Sequence, residues 1–122
     1  MAGSAEGDGA PRGRSIGELQ GAIDAWIAEN GGYWPPLSLL ARLTEETGEV
    51  AREYNHRFGA KQKKRSELEA EVPGEDRLGM ELADVLFIVL CMANEQGVDL
   101  DASFDAMMNK LKIRDAGRFR TR

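Results

Sequence analysis

Hydrophobic side chains recur at helical spacing in four stretches of this chain, and no stretch alternates between apolar and polar residues as a half-buried strand does. The first pattern begins at Ser15 and Glu18, an S-x-x-E capping box that predicts a helix start. It ends at Asn30, which two glycines follow. Pro35 and Pro36 then predict a rigid connector, because proline fixes its own backbone and restricts the residue before it.

The second predicted helix runs from about Leu37 to Arg57 and carries acidic side chains along one border of its core stripe. The stripe consists of Leu39, Leu43, Thr47, Val50 and Tyr54. The acidic border consists of Glu46, Glu49 and Glu53, on the same side as Arg42. We therefore expect these acids to lie next to packed elements and not on the far, solvated face.

Residues 56–77 form the least regular segment, in which a basic cluster is followed by acidic residues and a Pro-Gly pair. We predict a mobile loop, with a short helical turn around Ser66 to Glu71. A third helix should span Asp76 to Gln96, and its run from Val85 to Ala93 is entirely apolar. A helix without a polar face is buried on every side, which predicts both a central position and a partner subunit.

A fourth helix should follow Gly97, with Asp99 or Asp101 as its cap. Its core face is predicted to consist of Phe104, Met107, Met108 and Leu111. The tail after it is basic. Four helices joined mostly by short loops predict an all-α helical bundle.

Composition narrows the function classes. A chain of 122 residues forms one domain, and a net charge of −5 disfavours nucleic-acid binding, so we expect no nucleic-acid partner. The single Cys91 excludes an internal disulfide, and the longest apolar run is too short to cross a bilayer. Residues 1–14 lack the apolar region of a secretory signal and are predicted to be a disordered tail. We expect a cytoplasmic protein without a membrane partner.

Two acidic doublets at helical spacing carry the candidate chemistry: Glu46 with Glu49, and Glu81 with Asp84. Residues three apart share one helix face, so each doublet directs two carboxylates the same way. Oxygen ligands select Mg²⁺ or Mn²⁺, whereas zinc would need His or Cys ligands and the chain has one of each. Neither doublet has the Glu-x-x-His pattern of a ferritin-like di-iron site. Solvated surface pairs are the alternative interpretation.

Magnesium held by carboxylates commonly serves phosphate chemistry. An acidic protein that binds a nucleotide also needs local positive charge, which residues 61–65 and the basic tail can supply. The chain has no G-x-x-x-x-G-K-[ST] loop and is therefore not a P-loop enzyme.

The two doublets stand in the contexts LTEE-x-GE and ELADVLF, which are followed by MNKLKIRDAGRF. Over residues 15–119 the chain resembles the MazG-like nucleotide pyrophosphohydrolases, in particular their short, single-domain bacterial branch. The resemblance implies a four-to-five-helix bundle of the all-α NTP pyrophosphatase type, with residues 120–122 as a flexible basic end. Such enzymes cleave nucleoside triphosphates between the α and β phosphates, and they assemble as dimers or tetramers.

The resemblance implies the metal ligands, and physical reasoning adds candidates for the other roles. The motif acids that bind Mg²⁺, for which Mn²⁺ is a possible substitute, are Glu46, Glu49, Glu81 and Asp84. For the attacking water, Glu45 or Glu53 is a candidate to orient or deprotonate it. The candidates for phosphate binding are Lys110, Arg114, Lys61, Lys63 and Lys64. Trp34 is a candidate for stacking on the base, and Asn109 for contacting the base or sugar. Packing or solvated roles stay open for each of these residues, as does a non-catalytic helical module that retains the acids only structurally.

Overall fold

The computed structural model describes residues 13–59 and 62–115, and these ranges contain five helices and no strand. In chain order the helices are α1 (Ile16–Glu29), α2 (Pro36–Phe58), α3 (Arg65–Glu69), α4 (Arg77–Glu95) and α5 (Leu100–Arg114). The predicted all-α fold is confirmed. Most of the predicted N-terminal tail, and residues 120–122, lie outside the described ranges.

Side chains at the helix starts explain where the elements begin. Ser15 and Glu18 form the predicted capping box, with the Ser15 hydroxyl accepting from the Glu18 amide at 3.0 Å. The Asp76 carboxylate caps α4 by accepting from the Gly79 amide, also at 3.0 Å. Asp99 caps α5. Its alternative, Asp101, lies inside α5 and accepts instead from the Gly17 amide of α1.

The long apolar helix α4 occupies the centre, as predicted, since it packs against both α2 and α1. The buried apolar side chains come almost entirely from it: Ile88, Leu90, Cys91 and Ala93, with Leu39 from α2. In α2 the acidic border is indeed partly sequestered, because Glu46 and Glu53 are both buried. The sequence therefore identified the central helix and the position of the acids beside it.

The predicted core face of α5 was wrong for the single chain, and that of α2 was right only in part, since Leu39 is buried but Thr47 is exposed. In α2, Tyr54 is half exposed and contacts Phe58. In α5 no residue is buried, and Phe104, Met107 and Met108 stay substantially exposed. Helical spacing identifies an apolar face but not the element that covers it, and here α5 packs mainly against α1 within the described residues.

A polar network joins α1 to the end of α4. The Gln20 amide nitrogen donates to the Asn94 side-chain oxygen and to the Val98 carbonyl, each at 2.8 Å. The Asn94 amide nitrogen donates in turn to the Gln20 carbonyl and to the Tyr33 hydroxyl, each at 2.9 Å. Tyr33 donates to Asp24, and burial together with this bond raises the pKa of Tyr33 to about 12. These bonds fix the connector after α1 against the central helix.

Within the described ranges, no helix combines the length and the hydropathy that a bilayer crossing requires.

Candidate functional site

Three of the four motif acids converge between α2 and α4. Glu46, Glu81 and Asp84 each place a carboxylate oxygen within 4.8 Å of the other two. The residue Glu46 is only 8 % exposed, whereas Asp84 is open to solvent. Helical spacing put Glu81 and Asp84 on one face of α4, and the packing of α4 on α2 brings Glu46 to the same place. We call these three residues the acid wall.

Glu49 lies beside the acid wall and acts on it electrostatically. Burial raises the pKa of Glu81, and the negative charges of Glu49 and Asp84 raise it further. The Glu49 carboxylate faces the Arg52 guanidinium at 3.7 Å. Both members of the second doublet, Glu81 and Asp84, therefore belong to the acid wall. Of the first doublet, Glu46 belongs to the wall and Glu49 lies beside it.

The donor set of the acid wall fits a hard divalent cation. All three donors are carboxylates, which Mg²⁺ and Mn²⁺ prefer. Opposite ligand oxygens around Mg²⁺ are about 4 Å apart, so three oxygens within 4.8 Å need only small side-chain adjustments to share one ion. The mutual repulsion that raises the pKa of Glu81 is what such an ion would relieve.

Two arginines, each one helical turn from an acid, partly compensate the negative charge of the acid wall. Arg42 contacts Glu46 at 2.9 Å, and Arg77 lies 3.6 Å from Glu81. Both pairs have i, i+4 spacing on a helix, so the pairing of Arg77 with Glu81 could have been predicted from the sequence as well. The arginines leave the wall with a net negative charge, since two cations face three carboxylates.

Two cavities meet at the acid wall. The first, of about 330 Å³, is largely aromatic, and its wall includes Trp26, Tyr33, Trp34, Phe87 and Cys91. The second, of about 410 Å³, is lined by charged side chains and reaches from the acid wall to α3. Glu46 and Asp84 line both cavities. We call them the aromatic cavity and the charged cleft.

Trp34, predicted to stack on a base, lines the aromatic cavity. The Arg42 guanidinium lies over its indole ring, 5.9 Å from the ring centroid, which is a cation–π contact. Trp26 contacts Phe87 edge to face across the same cavity. With Tyr33, four aromatic rings therefore border a space next to the acid wall.

The structure does not bring the remaining predicted residues to the acid wall. Glu45 is exposed and pairs with Arg42 at 3.7 Å. Lys64 is exposed at the start of α3, whereas its neighbour Lys63 lines the charged cleft. Lys61 lies outside the described residues. The three candidates on α5, Asn109, Lys110 and Arg114, are exposed and line neither cavity.

His56 was not predicted to be a site residue, yet it lines the charged cleft. Its side chain is 3 % exposed, and neither ring nitrogen has a hydrogen-bond partner within the described part of the chain. Its Nε2 lies 3.9 Å from the Glu67 carboxylate of α3. The sequence held no signal for this burial, because it depends on where α3 packs.

The comparisons with known proteins agree with this geometry. The profile of the MazG nucleotide pyrophosphohydrolase domain matches residues 35–119. The chain belongs to the MazG nucleotide pyrophosphohydrolase family. It is 38 % identical over 107 residues to YpjD of Bacillus subtilis strain 168, a match that covers 87 % of this chain and 91 % of YpjD. The predicted resemblance is thereby confirmed.

Two solved structures extend the similarity of this MazG chain to the fold. The Bacillus-conserved MazG protein, described as a nucleotide pyrophosphohydrolase, superposes with a TM-score of 0.69 at 37 % identity, covering 88 % of this chain and 99 % of that protein. A structure of Bacillus subtilis YpjD gives the same TM-score and identity, with 82 % and 97 % coverage. This MazG chain is therefore an enzyme of the nucleotide-hydrolase class, in a family that generally uses a divalent metal.

Proposed function

We propose that this MazG chain is a Mg²⁺-dependent nucleoside triphosphate pyrophosphohydrolase. It releases a nucleoside monophosphate and pyrophosphate, and serves to control or clean the nucleotide pool. The observation that carries the proposal is the position of the acid wall, which forms part of both the aromatic cavity and the charged cleft. A nucleotide with its base among the aromatic rings has its α-phosphate next to carboxylates that suit a divalent ion.

The charges in the cleft explain why the reaction needs a divalent metal. Seven carboxylates line the charged cleft against three side chains with a permanent positive charge. A triphosphate entering this field alone would be repelled. When bound by Glu46, Glu81 and Asp84, with Glu49 beside them, Mg²⁺ supplies charge neutralisation and a lowered pKa for an attacking water. Mn²⁺ is the expected substitute because it takes the same ligands.

Side chains of the protein then orient the base and the attacking water. Stacking on Trp34 orients the base, and the volume of the aromatic cavity, about 330 Å³, is at the small end of the range for ligand pockets. Of the two candidates for orienting water, Glu53 is buried in the charged cleft, whereas Glu45 faces solvent. We therefore assign the water-orienting role to Glu53.

Assembly is part of the proposal. Asn109, Lys110 and Arg114 lie on α5, which packs on α1 and leaves them away from the acid wall of their own chain. We propose that a homodimer or homotetramer brings α5 of one protomer to the acid wall of another, where its cations contact the phosphates. The exposed apolar side chains of α5, among them Phe104 and Ile113, support this arrangement.

The deciding experiment is product analysis. A panel of NTPs and dNTPs is incubated with the protein and Mg²⁺, and the products are separated. Monophosphate with pyrophosphate is the expected result. Diphosphate with orthophosphate would mean a different cleavage. Binding of Mg²⁺ without turnover would favour the alternative function, a helical oligomerisation or partner-binding module with a structural metal site.

Two variants test the metal assignment. Glu49→Gln and Asp84→Asn should each reduce turnover by about 100-fold or more, because changes around a metal's ligands alone cost about 10- to 100-fold. Helix content and oligomer size should stay as in the wild type. Glu69→Gln on α3 is the matched control, since it removes an exposed carboxylate outside the cleft. Full activity of Asp84→Asn would show that the acid wall is not the metal site.

A further inference from the structure

We propose that the α3 end of the charged cleft, formed by Arg52, His56 and Lys63, is a subsite for the two terminal phosphates of the nucleotide and for the pyrophosphate that leaves. The inference rests on the proposed function and deepens it, because it assigns a direction to the substrate. The base lies in the aromatic cavity, the α-phosphate at the acid wall, and the β and γ phosphates beyond the wall.

The first support is the buried imidazole of His56. A buried polar group without a hydrogen bond is costly, and such groups in folded proteins need an explanation. His56 lines the charged cleft with both ring nitrogens unpartnered in the described part of the chain. An imidazole N–H directed at a bound phosphate oxygen would satisfy one of them.

The second support is the contact that Glu67 makes from α3. One Glu67 carboxylate oxygen lies 3.8 Å from the Arg52 guanidinium and 3.9 Å from the His56 imidazole. These distances exceed hydrogen-bond length, so the pairs are loose. The other Glu67 oxygen accepts from the Lys64 amide and caps α3. A carboxylate thus marks the point where Arg52 and His56 accommodate an anion.

The third support is the charge arrangement along the cleft. Lys63 contacts Glu53 at 3.7 Å and is hydrogen-bonded to Glu71, and its side chain is mostly buried at the cleft wall. The carboxylates that converge closely enough for a cation are the acid wall, and no second such group occurs among the described residues. The acid wall therefore suits the metal. At the α3 end each cation already has a carboxylate partner, and with Mg²⁺ bound at the wall phosphate oxygens can take the place of those partners on Arg52 and Lys63.

Binding of inorganic pyrophosphate tests the subsite without needing turnover. The full chain is titrated with pyrophosphate in excess Mg²⁺ by calorimetry, and separately with a nucleoside monophosphate. Arg52→Gln and Lys63→Gln should each weaken pyrophosphate binding by about tenfold or more, because a charge-assisted contact is lost. Monophosphate binding should change less than about twofold. Arg65→Gln is the matched control, since Arg65 is 91 % exposed on α3 and pairs only with Glu69 among the described residues.

His56→Leu separates a ligand-binding role from a structural one. Leucine has a similar volume and needs no hydrogen bond, so the variant should unfold at the same or a higher temperature than the wild type. It should nevertheless bind pyrophosphate several-fold more weakly. Unchanged affinity in this variant and in Arg52→Gln would overturn the subsite, as would equal losses for pyrophosphate and monophosphate.

The two proposals fail in distinguishable ways. If product analysis gives monophosphate and pyrophosphate while these variants bind pyrophosphate normally, the hydrolytic function stands and the subsite is wrong. If the wild type hydrolyses no nucleotide but the variants lose pyrophosphate affinity selectively, the subsite stands without the proposed reaction.

Discussion

Glu81 pays an electrostatic cost for its place in the acid wall. Burial raises its pKa, with additional contributions from the charges of Glu49 and Asp84, so the folded state binds its proton more tightly than the unfolded chain. The stability that this group contributes therefore falls as pH rises from about 4 through the raised pKa. At neutral pH and without metal, the ionised Glu81 destabilises the fold.

We expect Glu81→Gln to be more stable than the wild type at pH 7 in EDTA. Its free energy of unfolding, measured in urea, should be higher by about 1 kcal/mol. The difference should vanish below about pH 3, where Glu81 is protonated in both states. The variant also loses the contact with Arg77. This loss lowers the gain in stability only slightly, because that pair is partly exposed. In saturating Mg²⁺ the wild type should instead be more stable than Glu81→Gln, since the ion binds the folded wild type preferentially. A variant less stable than the wild type in EDTA would contradict this account.

For single residues, the sequence predicts which side chains carry the chemistry better than it predicts which of them come together in space. The acidic doublets were visible because both members of each lie on one helix. The convergence of Glu46 with Glu81 and Asp84 follows from the packing of two helices distant in sequence. The doublets and their position beside the core suggested it, and the family resemblance strengthened it. His56 was not recognisable as a cleft residue, because a short helix that carries no buried residue of its own covers it.

At the scale of elements, the polar network around Asn94 and Gln20 holds α1 against the end of α4. Asn94→Ala would remove three hydrogen bonds, two of them with Gln20 and one that the Tyr33 hydroxyl accepts. We expect a loss of about 2–3 kcal/mol in the free energy of unfolding, measured in urea. Asn55→Ala should change it by less than about 0.5 kcal/mol, because Asn55 is exposed and its side chain, among the described residues, bonds only to its own helix. Equal losses would contradict a role for the network.

Element boundaries were predictable where capping chemistry is local. Ser15 and Glu18 set the start of α1, and Asp76 lies at the predicted start of α4. The choice between Asp99 and Asp101 needed the structure, because both are good caps in isolation. Asp101 instead accepts from the Gly17 amide of α1, a contact between residues that are 84 positions apart.

At the scale of the molecule, the single chain leaves unusually many apolar side chains in solvent. On α4, Leu82 and Leu86 lie one turn apart and are each 48 % exposed. We expect Leu86→Glu to reduce the particle mass, measured by light scattering, to that of a 13.4 kDa monomer. Leu68→Glu on α3 is the control and should leave the mass of the wild type unchanged. A wild type that is itself monomeric would refute the proposed assembly.

Mixed oligomers test whether α5 acts on a neighbouring protomer. Asp84→Asn and the double variant Lys110→Gln with Arg114→Gln should each be inactive alone. After equal amounts are mixed and exchanged, half of the dimers contain one of each variant and have one intact site if α5 acts across the interface, so about a quarter of wild-type turnover should return. If α5 acts within its own chain, activity should stay absent.

Cys91 gives the molecule an internal probe of its own opening. It is the one thiol in the chain, is only 2 % exposed, and lies where the central helix borders the aromatic cavity. Burial also raises its pKa, so it reacts slowly while the helices stay together. The rate at which a thiol reagent labels the native protein therefore reports how often α4 separates from its neighbours. No dye or tag has to be introduced for this measurement.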